Sequence, residues 1–102
     1  MPADLKAIVA AAKSGDLRLT RHYGEERQGA PDRPWYSEIV YGLAHDAPEL
    51  AGDDRGVDGE GAVCRITCMT SDGNAFEVRI NYEASPMRIV TAFRLGRGGR
   101  DA

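Results

Sequence analysis

Two cysteines, one tryptophan and two phenylalanines in 102 residues leave little from which to build a disulfide framework or a large aromatic core. No run approaches the ~20 consecutive apolar residues that a membrane-spanning helix needs. The first residues show no basic segment followed by an apolar one, so no secretory signal is expected. A cytoplasmic location is therefore expected, with reduced thiols and no membrane partner. Cys64 and Cys68 are four residues apart. If that stretch is extended, they lie roughly 13 Å apart at ~3.3 Å per residue, too far for a disulfide between them. Neither C-x-x-C nor H-x-x-x-H spacing occurs, and no Walker loop, dinucleotide fingerprint or Gly-x-Ser-x-Gly is present. No metal and no cofactor is expected on those grounds.

A strong positive surplus is also missing. The formal net charge is −3, with 28% charged and 42% hydrophobic residues, the profile of one ordinary globular domain. The charge is unevenly spread. Residues 46–60 hold Asp46, Glu49, Asp53, Asp54, Asp58 and Glu60 against Arg55, a net −5, which leaves +2 elsewhere. The whole-chain charge argues against tight nucleic-acid binding, while the uneven distribution leaves room for a local basic face. The acidic run 53–60 lacks the alternating spacing of a calcium loop and reads as a solvated loop.

Apolar periodicity predicts helices at 3–14 (Leu5, Ile8, Val9, Ala12) and 36–45 (Tyr36, Ile39, Val40, Leu43). Thr20 reads as the N-cap of a short helix over 21–28 that Gly29 ends. Leu17–Leu19 and Glu49–Ala51 read as short extended pieces. Three strands are predicted at 62–70, 75–82 and 87–95, the second alternating Phe76, Val78, Ile80 and Tyr82 with Glu77, Arg79 and Asn81. Trp35 and Tyr36 read as a hydrophobic staple leading into the second long helix rather than as a base-stacking pair. The expected architecture is α+β: two N-terminal helices packed on one face of a three- to four-stranded antiparallel sheet. One domain is expected over 1–95, followed by a disordered tail over 96–102.

Turn chemistry sets the register. A three-residue turn at Ser71-Asp72-Gly73 pairs Cys68 with Phe76, Ile66 with Val78 and Cys64 with Ile80, all on one apolar face. The alternative two-residue turn would put Arg65 and Thr67 there, so the hydrophobic pattern selects the first. In the second hairpin Tyr82 is set opposite Met87, which pairs Arg79 with Val90 and Glu77 with Ala92. The other face then carries Arg65, Thr67, Glu77, Arg79, Asn81, Arg88 and Arg94. Thr91 falls on the apolar face and reads as a core threonine.

Two stretches carry a family resemblance. One is Leu19-Thr20-Arg21-His22 with Arg27, the Trp35–Leu43 helix and Pro48-Glu49-Leu50. The other runs from Phe76 to Tyr82 and on through Arg88-Ile89-Val90-Thr91-Ala92-Phe93. Together, over most of residues 17–95, they resemble a bacterial family of small domains similar to the RelE and BrnT toxins. These toxins belong to the barnase–EndoU–colicin–RelE group of metal-independent ribonucleases. The resemblance implies RNA as substrate, an antitoxin or other protein as partner, and a histidine at position 22. The chain departs from RelE-type toxins in its acidic balance.

Metal-free RNA cleavage needs a base for the 2′-hydroxyl, an acid for the leaving oxygen and cations for the phosphorane charge. His22 is the expected acid or base, because imidazole titrates near neutrality. Glu77 is the second candidate acid or base, with Arg65, Arg79 and Arg94 as phosphate ligands. The bland alternatives are a capping histidine and a solvated sheet face of weak ion pairs. The rival function is a non-catalytic, toxin-like protein-binding module, to which the acidic stretch would attract a basic partner.

Overall fold

The computed structural model describes residues 3–29, 33–45, 48–54, 61–69 and 74–97. Helix α1 (Leu5–Ser14) starts where the Asp4 side chain accepts the Lys6 N–H, and it stops at Gly15, whose φ of 84° places it in the left-handed region. Strand β1 (Leu17–Leu19) leads into α2 (Arg21–Gly29). Thr20 caps α2 as its side chain predicts: Oγ1 accepts the Tyr23 N–H, and the Thr20 carbonyl accepts from Gly24. Helix α3 (Tyr36–His45) opens with Glu38 reaching back to the Trp35 N–H, half of a capping box. Trp35 does not act as a staple, since it is 58% exposed, and Tyr36 packs against the core instead.

Strands β2 (Glu49–Asp53), β3 (Val63–Met69), β4 (Asn74–Asn81) and β5 (Met87–Arg97) complete the chain. Strand β5 runs two residues past the predicted domain end at 95. Residues 98–102, the acidic segment 55–60 and the 71–73 turn lie outside the described residues. Five strands form one sheet in the order β1-β5-β4-β3-β2. The fold is α+β, but the sheet is mixed and five-stranded, where three or four antiparallel strands are predicted. Strand β1 pairs parallel to β5 (Leu17 with Met87, Arg18 with Arg88, Leu19 with Ile89), and β2 adds the other edge. Among the described residues three helices are present: the two long ones and the short helix expected over 21–28, which the two-helix architecture left out.

The first hairpin has the predicted register: Cys64 opposes Ile80, Ile66 opposes Val78 and Cys68 opposes Phe76. All six are fully buried beneath the helices, together with Ile8, Ile39, Leu43 and Ile89. The second hairpin follows the expected pairing only at Asn81–Arg88 and Ile80–Ile89. Beyond a bulge that absorbs Val90, Arg79 opposes Thr91 and Glu77 opposes Phe93. A bulge sets two residues against one and reverses the alternation after it. It falls where β1 leaves β5: there the Thr20 N–H donates to Ile89 O and Thr20 Oγ1 to Val90 O. Thr91 therefore leaves the core face, and Ala92 enters it fully buried.

Cys64 and Cys68 are buried free thiols. Burial, and then the nearby Asp53 and Asp54 charges, push the Cys64 thiol from near 9 up to about 11. The unfolded chain therefore ionises first. The stability carried by the neutral thiol is complete below pH 9 and is lost as pH rises toward 11. Between pH 8 and 10.5 the wild type should lose about 2 kcal/mol relative to Cys64→Ala, measured by urea unfolding of both proteins. A stability difference that stays constant over that range would contradict this.

Candidate functional site

One face of the sheet carries the helices. No described element covers the other, and the register fixes what stands on it. Cross-strand partners share a face, with Cβ atoms ~4.5–5.5 Å apart. Arg65 of β3 stands opposite Arg79 of β4, and Thr67 opposite Glu77. Arg79 stands opposite Thr91 of β5 and Glu77 opposite Phe93, while Asn81 faces Arg88 and Arg88 faces Arg18 of β1. Arg18, Arg65, Arg79 and Arg88 thus share one end of the open face, and Phe93 lies beside them.

Arg94 is not among them. It opposes Phe76, on the side that carries the helices, and its Nη2 donates to both carboxylate oxygens of Glu38 at 3.1 and 3.2 Å. The predicted grouping of Arg65, Arg79 and Arg94 therefore fails. The cause is the Val90 bulge, which moves Thr91 to Arg94 to the opposite face, until a second irregularity at Leu95 shifts the register again. Arg94 instead ties β5 to the first turn of α3. Thr91, predicted for the core, stands on the open face and accepts a 3.3 Å hydrogen bond from Arg33 Nη1. The same nitrogen donates to Ala92 O at 2.9 Å, along the stretch of β5 that β1 leaves uncovered.

The remaining guanidiniums differ in freedom. Arg65 Nε lies 2.7 Å from Asp54 Oδ2, and its guanidinium folds over Gly52, where a Cβ would collide with Nη2. Arg65 is therefore held by the β2 bulge more than it is offered to a ligand. Arg79 Nε lies 3.3 Å from Glu77 Oε2, and its guanidinium carbon sits 5.9 Å from the centre of the Phe93 ring. Its side chain is 40% exposed against 13% for Glu77, so Glu77 works as a largely covered anchor for Arg79. Arg18 and Arg88 are exposed, and neither pairs with a carboxylate among the described residues. Two like charges set directly across a strand pair are unfavourable on their own. An anion placed between them relieves that cost.

His22 is exposed in the first turn of α2, whose inward residue is Tyr23, fully buried with its hydroxyl 2.6 Å from Pro34 O. Helix α2 packs against β5, whereas Glu77 and Arg79 stand on β4, one strand further in. The structure does not bring the predicted acid–base pair of His22 and Glu77 together. Among the described residues no group of three His, Cys, Asp or Glu side chains converges on a metal position. No described helix is long and apolar enough to cross a membrane.

Arg18 is the residue that sequence reasoning missed. Its place beside Arg88 follows from the parallel pairing of a three-residue strand, and so short a strand carries no periodicity to announce its partner. Arg33 likewise gave no signal beyond its position before Pro34.

The chain matches no family model, no curated protein and no solved structure.

Proposed function

We propose that this domain binds single-stranded RNA across the open face of its sheet and does not cleave it. The observation that carries the reading is the Arg18–Arg88 pair, two exposed guanidiniums side by side on the same face as Arg79 and Phe93. Guanidinium groups match phosphate oxygens in pairs of hydrogen bonds. A half-exposed ring beside them offers a surface on which a base can stack. The resemblance to RelE- and BrnT-type domains favours RNA over other polyanions. Binding is favoured over cleavage for two reasons. Arg94 lies on the other face, bonded to Glu38, and His22 and Glu77 are separated by β5. The acidic balance of the whole chain sets the affinity in the weak, non-specific range of ~10⁻⁴–10⁻⁶ M.

The test is a native gel and a denaturing gel run on the same samples of short single-stranded RNA in EDTA. Wild type and His22→Ala are both expected to retard the strand in the first gel and leave it intact in the second. Cleavage by wild type that His22→Ala abolishes would restore the ribonuclease reading in place of this one. Failure to retard RNA would remove the RNA reading and favour the protein-binding module.

A further inference from the structure

Trp35 and Tyr41 are the most exposed large apolar side chains among the described residues, at 58% and 60%. Single exposed apolar residues are ordinary on a protein surface, but these two share one flank of α3. Trp35, Glu38, Tyr41 and His45 follow one another at steps of three, three and four residues. That spacing sets them in a row beside the face that buries Ile39, Gly42 and Leu43. The Tyr41 and His45 rings lie 4.7 Å apart between centroids, tilted by 44°. Glu38 stands midway between the two aromatics. Its carboxylate accepts the Trp35 N–H at 3.1 Å and the Arg94 guanidinium of β5. The row is therefore tied down at its start and its centre, and its acid is matched by a cation.

We infer that this flank of α3 is where two copies of the chain join as a two-fold dimer. Charge points to a second copy as the occupant. Each chain carries a net −3, so copies repel unless they meet where charge cancels, and the Glu38–Arg94 pair makes this flank such a place. Spacing points the same way. Trp35 and Tyr41 lie three residues to either side of Glu38. At a rise of ~1.5 Å per residue each is ~4.5 Å from it along the helix axis. A two-fold axis at Glu38 lays two α3 helices antiparallel, with Trp35 of each copy on Tyr41 of the other. That is the self-complementarity an isologous interface requires. At the axis the two Glu38–Arg94 pairs, with side chains 35% and 38% exposed, come together so that each guanidinium faces a second carboxylate. Tryptophan and tyrosine are the side chains that most often dominate the energy of an interface. The open sheet face lies on the other side of the sheet from α3 and stays free in this dimer, so the inference stands apart from the RNA reading.

The experiment follows mass and tryptophan emission on the same samples of the intact chain at rising concentration. Sedimentation velocity gives the mass, and Trp35, the only tryptophan, gives the emission. The mass is expected to double with a dissociation constant in the micromolar range, the weak end for protein interfaces. Emission should move to shorter wavelength over the same range, as the indole leaves water. Tyr41→Ala should weaken the dimer about tenfold or more, because a two-fold interface loses each contact twice. Its circular dichroism should match the wild type, since the position is exposed. Leu50→Ala, which trims an exposed apolar side chain on β2, should leave the dimer unaltered. A chain that stays monomeric up to millimolar concentration would overturn the inference. So would a dimer that forms with no change in Trp35 emission, or one that Leu50→Ala weakens as much as Tyr41→Ala does.

Discussion

Gly42→Ala is expected to lower the melting temperature by roughly 5–15 °C. A Cβ built at Gly42 would lie 2.8 Å from Phe76 Cζ, 3.2 Å from Phe76 Cε2 and 3.4 Å from Cys68 Cβ. The ring is fully buried, so it has no solvent to retreat into. Overpacking of this kind typically costs ~1–3 kcal/mol, against which the better helix propensity of alanine returns up to ~1 kcal/mol. In a domain of about 100 residues each kcal/mol moves the midpoint by ~4–8 °C. Gly24→Ala, in α2, is the matched contrast, because nothing lies within 4 Å of its built Cβ. It should raise stability by about 0.5–1 kcal/mol through propensity alone. Thermal unfolding followed by circular dichroism reads both variants. Equal effects of the two substitutions would show that α3 does not seat on Phe76 as described.

The second large effect concerns the arginine pair. Arg18→Glu combined with Arg88→Glu should weaken RNA binding about tenfold or more and cut the salt dependence by roughly 1.4, two single-strand phosphate contacts at ~0.7 each. Both side chains are exposed, so the fold should be unaffected. Arg94→Glu is the informative comparison. It would set a carboxylate against Glu38 and loosen the hold of α3 on β5, yet it should leave RNA affinity almost unaltered, because Arg94 does not stand on the open face. Had Arg65, Arg79, Arg88 and Arg94 shared one face, the two kinds of variant would behave alike. Fluorescence anisotropy of a labelled oligonucleotide reads both.

Much of the scaffold was legible in the residues. The apolar stripe of α3 and the Thr20 cap of α2 are local signals, and each is where the pattern puts it. The β3–β4 register was legible because only one pairing buries Cys64, Ile66, Cys68, Phe76, Val78 and Ile80 together. The site was less legible, and the reason is a single residue. The run Ile89 to Leu95 alternates well enough to pass for a regular strand, with no glycine to mark a bulge at Val90. The bulge depends on hydrogen bonds from Thr20, seventy positions away, so no local reading of β5 contains it. From Thr91 to Arg94 each inferred side flips. Arg94 leaves the proposed cluster and Thr91 joins the open face. Arg18 enters for a related reason, since a three-residue parallel strand is placed only by its partner.

The most direct test of the basic open face is the salt dependence of single-stranded RNA binding by the wild-type chain. Contacts from Arg18, Arg88 and Arg79 predict that log affinity falls with log salt at a slope of about −2. A slope near zero, or no binding at low salt, would contradict the account.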